Sequence, residues 1–591
     1  MKPFWKVVIG ACLGALIAFL LVNLIIFGMI GSLVSSFTSS QDSQPVVPRN
    51  AILKIDLSQP IAERTRESFS FDIMSASANM GNTVSLLDAI RALDAAAADP
   101  QIRFAYLKAD ALNMGIAQAE EFRAALARFR ESGKPVVAYS QSLSGGTYYL
   151  ASVADKVILN TYGECSITGL SANLLYYKDL IDFLGIDIQL IRHGKYKSAG
   201  EPYIKSEMSQ ENKEQNETML RTVWSVIADG VAASRDFTAD DFNQWIDDLV
   251  LDSPEAALEK GLVDELWYDD QVRDYFCTLC DVKEAKELRY VSLKDYAAAR
   301  VRPNLRSKDK IAVIYADGEI VMDDKEGEIG NNFAKEIGRV RQDPAVKAVV
   351  FRVNSPGGSV QASAAIEREI KLLQEAGIPV VASYGSYAAS GGYWISCSAD
   401  KIYSDKSTLT GSIGVFGLIP SFGRALKKNV HLNAFEVSTH RHGSMASGLS
   451  PLDPQEEAMM QNRIDATYED FVSRVAGGRN MENAAVDEIA QGRVWAGGDA
   501  IGIGLVDELG GLADAIQYAA SAVGLDTYRL VEYPAVSTMY EQMLTMMNEP
   551  GTEQDVRSDA ATVLTRTGSW LLGLDGPEVA VRMENIQIHL K

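Results

Sequence analysis

The stretch Pro379-Val-Val-Ala-Ser-Tyr-Gly-Ser-Tyr-Ala-Ala-Ser390-Gly391-Gly392-Tyr-Trp394 decides how the chain is read. It starts as an apolar, strand-like run. It then passes through small residues, and a helix is predicted from Tyr393-Trp394-Ile395 onward. A serine on a tight turn from strand to helix is where a nucleophile is held exposed. The helix N-terminus adds unpaired N–H groups and a positive dipole end. A glycine turn with an incidental serine fits this stretch alone equally well.

The same signals occur earlier in the chain. Pro379-Val-Val-Ala382 is preceded by Pro135-Val-Val-Ala138, and Ser390-Gly391-Gly392 by Ser144-Gly145-Gly146. Asp343-Pro344, Ala399-Asp400-Lys401 and Thr410-Gly411 match Asp99-Pro100, Ala154-Asp155-Lys156 and Thr168-Gly169. Gly504-Leu-Val-Asp-Glu-Leu509 repeats Gly261-Leu-Val-Asp-Glu-Leu266. A displacement held between 242 and 246 residues across six matches marks a tandem duplication. The predicted domains are 51–300 and 309–530, joined by the polar, Pro-containing stretch Val301–Lys308. In each, short strands alternate with helices, the pattern of a mostly parallel α/β sheet. The tail 531–591 has no counterpart in the first copy and is read as partly loose or as packing in an oligomer.

The copies differ where chemistry would be placed. The second carries Phe351-Arg-Val-Asn-Ser-Pro-Gly357-Gly358-Ser359, a strand entering a Pro-Gly-Gly turn whose N–H groups could face an oxyanion. The first has Leu107-Lys-Ala-Asp-Ala-Leu-Asn-Met-Gly115 there, so Ser144 reads as vestigial and Ser390 as the live candidate. A serine needs a base. None of the five histidines falls in an obvious Ser/His/Asp pattern. A buried, neutral lysine can replace histidine. The second copy has no lysine between Lys428 and Lys591, whereas the first offers Gly194-Lys195-Tyr196-Lys197-Ser198-Ala199. The losses are complementary and point to one composite site. Ordinary solvated surface charge is the competing reading of these lysines.

Composition sets the remaining bounds. The 591 residues carry a net charge of -22, which disfavours a nucleic-acid partner. Five cysteines are too few for a disulfide scaffold. Cys277-Thr-Leu-Cys280 is a weak zinc candidate, better read as a local disulfide or two free thiols. After Lys2 and Lys6, Val7–Val34 holds no charged residue, longer than the roughly 20 residues that span a bilayer. The reading is a cytoplasmic N-terminus (1–6), an uncleaved transmembrane anchor (7–34) and a linker (35–50), with everything after the span outside the cytoplasm.

Asn354-Ser-Pro-Gly-Gly358 together with Tyr387-Ala-Ala-Ser390-Gly391-Gly392 resembles the S49 peptidase family, also called the signal peptide peptidase A or protease IV family. The tandem arrangement and the anchor resemble its long Gram-negative form; Clp protease is a more distant likeness. The resemblance implies two tandem Clp/crotonase-like α/β domains behind a single N-terminal transmembrane helix, and a serine endopeptidase with a Ser/Lys dyad. By position Ser390 matches the nucleophile. The lysine directly before Ser-Ala, Lys197, matches the general base, with Lys195 as the alternate. Gly357 or Gly358, with the N–H of Gly391, would form the oxyanion hole. Ser412 is a rival nucleophile, but the family pattern puts the nucleophile in Ala-Ala-Ser, so Ser412 reads as structural or substrate-lining. No metal or organic cofactor is implied. The implied substrates are cleaved signal peptides and other short apolar peptides. The implied setting is a homo-oligomer, commonly a tetramer, in a bacterial inner membrane with periplasmic catalytic domains. The run His440–Gly448 does not align with the family. A catalytically silent, membrane-bound peptide-binding scaffold or protease regulator is the alternative. Acyl-thioester chemistry is disfavoured by the extracytoplasmic topology.

Overall fold

The computed structural model describes residues 45–535 except 66, 73–76, 323, 325–327 and 446, together with 579–582 and 588–590. The predicted anchor 7–34 lies outside the described residues. Among the described residues no helix is long and apolar enough to cross a membrane.

The first half builds a parallel sheet. Its elements are β1 (Ala51–Asp56), α1 (Leu86–Ala98), β2 (Ile102–Lys108), α2 (Ile116–Glu131), β3 (Val136–Ser144), α3 (Gly145–Ala151) and β4 (Lys156–Ser166). Then follow β5 (Leu170–Ala172), β6 (Asp187–His193), α4 (Gln210–Ala232), β7 (Glu265–Leu266) and β8 (Arg289–Ser292). The strand order is β7-β4-β3-β2-β1-β8.

The second half repeats it. It runs β9 (Lys310–Asp317), α5 (Asn331–Gln342), β10 (Val346–Ser355), β11 (Gly357–Ser359), α6 (Val360–Glu375), β12 (Val380–Ala389) and α7 (Gly391–Trp394). It continues with β13 (Lys401–Ser404), β14 (Leu409–Gly411), β15 (Val415–Ser421), α8 (Pro454–Arg479), β16 (Val494–Ala496) and β17 (Glu508–Leu509). It ends with α9 (Leu512–Ala522), β18 (Arg529–Tyr533), β19 (Val579–Arg582) and β20 (Ile588–Leu590). The sheet order is β16-β14-β12-β10-β9-β18, with β13 beside β12. Ile311–Ala316 are all at most 3% exposed, as strands covered on both faces by helices must be.

The repeated sequence signals are repeated hydrogen bonds. Asp155 accepts from the N–H of Val136 at 2.8 Å, and Asp400 from that of Val380 at 2.7 Å. Asp264 accepts from Val157 at 2.6 Å, and Asp507 from Ile402 at 2.7 Å. Lys156 pairs with Glu265 and Lys401 with Glu508. Each carboxylate ties a strand to the segment that crosses over it, which is why Ala-Asp-Lys and Gly-Leu-Val-Asp-Glu-Leu occur in both copies.

The halves are not independent. β6 of the first pairs antiparallel with β15 of the second over seven residue pairs, from Asp187 opposite Ser421 to His193 opposite Val415. This seam extends to a four-stranded sheet, β6-β15-β19-β11. Parts of the tail pair within the chain: residues 531–533 of β18 with β9, β19 here, and β20 antiparallel with β5. Cys277 and Cys280 are buried free thiols on the helix Asp269–Cys280.

Candidate active site

Ser144 and Ser390 share the Ser-Gly-Gly motif but not a backbone. Ser144 has φ -107° and ψ 169°, and its hydroxyl caps α3 by accepting from the N–H of Thr147. Ser390 has φ 56° and ψ -115° and makes no side-chain cap. Such a conformation costs about 1–3 kcal/mol and persists only where the surroundings impose it. Here the Ser390 N–H donates to Gly411 O at 2.7 Å, and its carbonyl accepts from Trp394 at 2.8 Å. The hydroxyl is thereby released from capping and turned toward the other half of the chain.

What it meets is Lys197. The Nζ lies 2.7 Å from Ser390 Oγ, 2.9 Å from the Ser412 carbonyl oxygen and 3.0 Å from Ser412 Oγ. The side chain is 1% exposed, and burial pushes its amine well below the ordinary lysine range. β6 delivers this lysine, which follows four residues after the strand's last residue, His193. The Tyr196 N–H donates to Gln491 O, and Arg192 holds the Lys197 carbonyl at 2.7 Å. The cradle is glycine. A Cβ on Gly492, whose φ is +80°, would sit 2.6 Å from both Lys197 Cβ and Lys197 N.

Lys195 is exposed and lies over the Tyr196 ring at 5.2 Å. Of the histidines, His193 pairs with Asp465 at 2.7 Å and His442 with Glu456 at 3.0 Å.

The Pro-Gly-Gly turn lies against the serine. A Cβ on Gly391 would come within 3.0 Å of Gly357 Cα and Gly358 N, so these backbones are in direct contact. The Gly357 N–H donates to Ser355 Oγ at 3.2 Å, so of the three expected donors Gly357 is already engaged by a side chain. Gly391 opens α7, where N–H groups have no intrahelical acceptor.

A buried ion cluster holds the strand that enters this turn. Arg352 of β10 donates to Glu63 at 2.8 Å and to Glu121 at 2.7 Å, both from the first half. All three side chains are at most 2% exposed. Asp405 beside them is pushed well above the usual carboxylate range by burial and by the charges of Glu121 and Glu120. Asn354 then ties β10 to its neighbours, donating to Asp317 at 2.8 Å and accepting from the Tyr387 N–H at 3.2 Å. Sequence reasoning missed Glu63, Glu121 and Gly492. None lies in a motif, and each acts only through a distant partner.

Comparison with known proteins agrees with this arrangement. Peptidase family S49 matches residues 128–283 and 372–526, one segment in each half. Protease 4 of Haemophilus influenzae is 33% identical over 541 residues, covering 88% of this chain and 86% of its own length. Protease 4 of Salmonella typhi is 39% identical over 435 residues, covering 72% of this chain and 69% of its own. A chloroplastic serine protease SPPA of Arabidopsis thaliana is 32% identical, covering 76% of this chain and 68% of its own. The two matched segments, the two repeated sheets and the relatives aligned along most of the chain lead to one assignment: this chain belongs to peptidase family S49 and is a peptidase.

Proposed function

We propose that the chain is a serine endopeptidase in which Ser390 is the nucleophile and Lys197 the general base. One observation carries the reading: the 2.7 Å approach of a buried amine, lowered in pKa by burial alone, to the hydroxyl of a serine in a strained turn. A neutral amine has two N–H donors and one lone pair. The Ser412 carbonyl and hydroxyl accept the two donors, at 2.9 and 3.0 Å, so the lone pair is left for the Ser390 proton. The Ser390 oxygen then attacks the scissile carbonyl carbon while Lys197 takes that proton. The N–H groups of Gly358 and Gly391 face the developing oxyanion. Lys197 returns the proton to the leaving amine, and water releases the acyl group by the reverse sequence.

The substrates we assign are cleaved signal peptides and other short apolar peptides, which enter as extended strands. The apolar residues Phe416 and Leu418 of β15, packed with Ile188, Leu190, Ala199 and Tyr203, suit such chains. The proposed setting is a homotetramer anchored in a bacterial inner membrane through residues 7–34, with the catalytic halves in the periplasm. The uncharged run Val7–Val34 supports the anchor.

Peptide hydrolysis by single alanine variants tests the roles. Ser390→Ala and Lys197→Ala are expected to lose at least about 10³-fold in kcat. Ser412→Ala should lose about 10–100-fold, and Lys195→Ala should be unchanged. Full activity in Ser390→Ala overturns the nucleophile, and a dead Lys195→Ala beside an active Lys197→Ala moves the base.

A further inference from the structure

The strand β11 has two edges. On one, Ile320 N donates to Gly357 O at 2.9 Å and Ser359 N donates to Ile320 O at 2.8 Å. Backbone groups alternate along a strand, so the N–H and C=O of Gly358 point to the opposite edge. That edge carries the proposed oxyanion donor, and it is covered by β19. The two strands are antiparallel, with Val581 opposite Gly358 and Ala580 opposite Ser359. The other edge of β19 is held by β15, with Ala580 opposite Phe416 and Val579 opposite Gly417. β19 therefore fills a slot one strand wide. Without it, β11 and β15 would stand two strand spacings apart, about 9.6 Å. Such a slot accepts one extended chain and offers it backbone partners on both sides. Further along, β20 pairs with β5 of the first half, so the tail is fastened on both sides of the seam.

We propose that Val579–Arg582 is an intramolecular competitor of peptide substrates, occupying the strand position that a peptide must take to reach Ser390. The proposal rests on the serine-peptidase reading above. The pairing is backbone to backbone, so it imitates any extended peptide rather than one sequence. Being tethered, the tail acts at an effective concentration of about 1 mM; with an intrinsic dissociation constant of about 0.1 mM it leaves the slot open roughly one tenth of the time. The consequence is a KM raised about tenfold with kcat unchanged.

Two variants test this against the full chain: one ending at residue 578, and the full-length Ala580→Pro. Ala580 is paired on both sides, and proline removes its donor and is excluded from central strands. Both are expected to lower KM for a short fluorogenic peptide about tenfold and to leave kcat alone. A labelled synthetic peptide of residues 576–591 should bind the truncated chain carrying Ser390→Ala, read by fluorescence anisotropy, and should be displaced by the substrate. That readout needs no turnover. Loss of the catalytic assignment would instead show as hydrolysis that survives Ser390→Ala. If the truncated chain does not fold, Ala580→Pro decides. An unchanged KM in the folded variants, or a labelled peptide that the substrate does not displace, overturns the proposal. So does cleavage of the labelled peptide by the truncated chain with Ser390 intact, because the tail would then be a substrate and not an inhibitor.

Discussion

Replacing Lys197 by methionine should destroy hydrolysis and stabilise the fold. Methionine keeps much of the side chain's length and removes the amine. An unfolded lysine titrates near about 10.4, so every pH unit by which burial lowers the folded value costs the native state about 1.4 kcal/mol at neutral pH. The substitution removes that cost. Against it stands the Ser412 carbonyl, which loses its buried donor at 2.9 Å, a penalty of about 1–3 kcal/mol. The net expectation at pH 7 is a gain in stability, since a shift of more than about two units outweighs the lost donor. Its sign with pH is the sharper test. Burial lowers the pKa of the folded lysine, so between that value and about 10.4 the unfolded chain holds one proton more than the folded one. Parent stability therefore rises with pH across this window, and the variant lacks the rise. The advantage should shrink by about 1.4 kcal/mol per unit and turn into a deficit by about pH 10. Urea midpoints of parent and variant at pH 7, 8.5 and 10 measure it. A gain that does not change with pH, or a variant less stable than the parent at pH 7, would refute a buried neutral amine.

Three further outcomes are expected. The logarithm of kcat/KM should climb with unit slope as pH rises and level off once Lys197 has lost its proton, because only the neutral amine accepts from Ser390; a profile flat from pH 5 to 10 contradicts this. Gly492→Ala should cost about 10²-fold or more in kcat, since its Cβ would stand 2.6 Å from Lys197 Cβ at a backbone φ of +80°; peptide hydrolysis by the folded variant reads it. Arg352→Met should destabilise by about 3–5 kcal/mol, seen as a lowered Tm, because it strands Glu63 and Glu121 as unpaired buried carboxylates.

Much of this architecture was legible in the residues alone. The parallel sheets could be read because their ties are local in type. Asp155, Asp400, Asp264 and Asp507 each clamp a strand N–H, and such clamps leave matching words in both copies. Ser390 could be singled out because only its copy keeps the Pro-Gly-Gly turn. The geometry behind that choice could not be read, since identical Ser-Gly-Gly words adopt φ -107° in one half and 56° in the other. The turn of Ser390 is tied to Gly411 and lies against the Gly357–Gly358 backbone, and these are tertiary neighbours. The meeting of Lys197 with Ser412, the glycine cradle and the Arg352 cluster all depend on how two separate sheets dock. No period or motif encodes that docking. The strand pairings of the tail could not be read either, because it has no repeat partner and runs of three or four paired residues leave little trace in composition.

In the proposed dyad the base precedes the nucleophile by 193 residues, the lysine following β6 of the seam sheet and the serine following β12 of the second sheet. Synthesis runs from the N-terminus, so the amine is made first and has no hydroxyl to activate. A chain interrupted anywhere before residue 390 carries no complete dyad, however well its first half folds. On the same proposal the second half is not competent alone, because its serine would have no neutral amine to take the proton. With those roles, hydrolysis would be switched on by docking and not by translation of any single segment. For a peptidase whose own emerging chain is an extended peptide, the proposed dyad makes that ordering a form of quality control: only a molecule whose two halves have docked could cut.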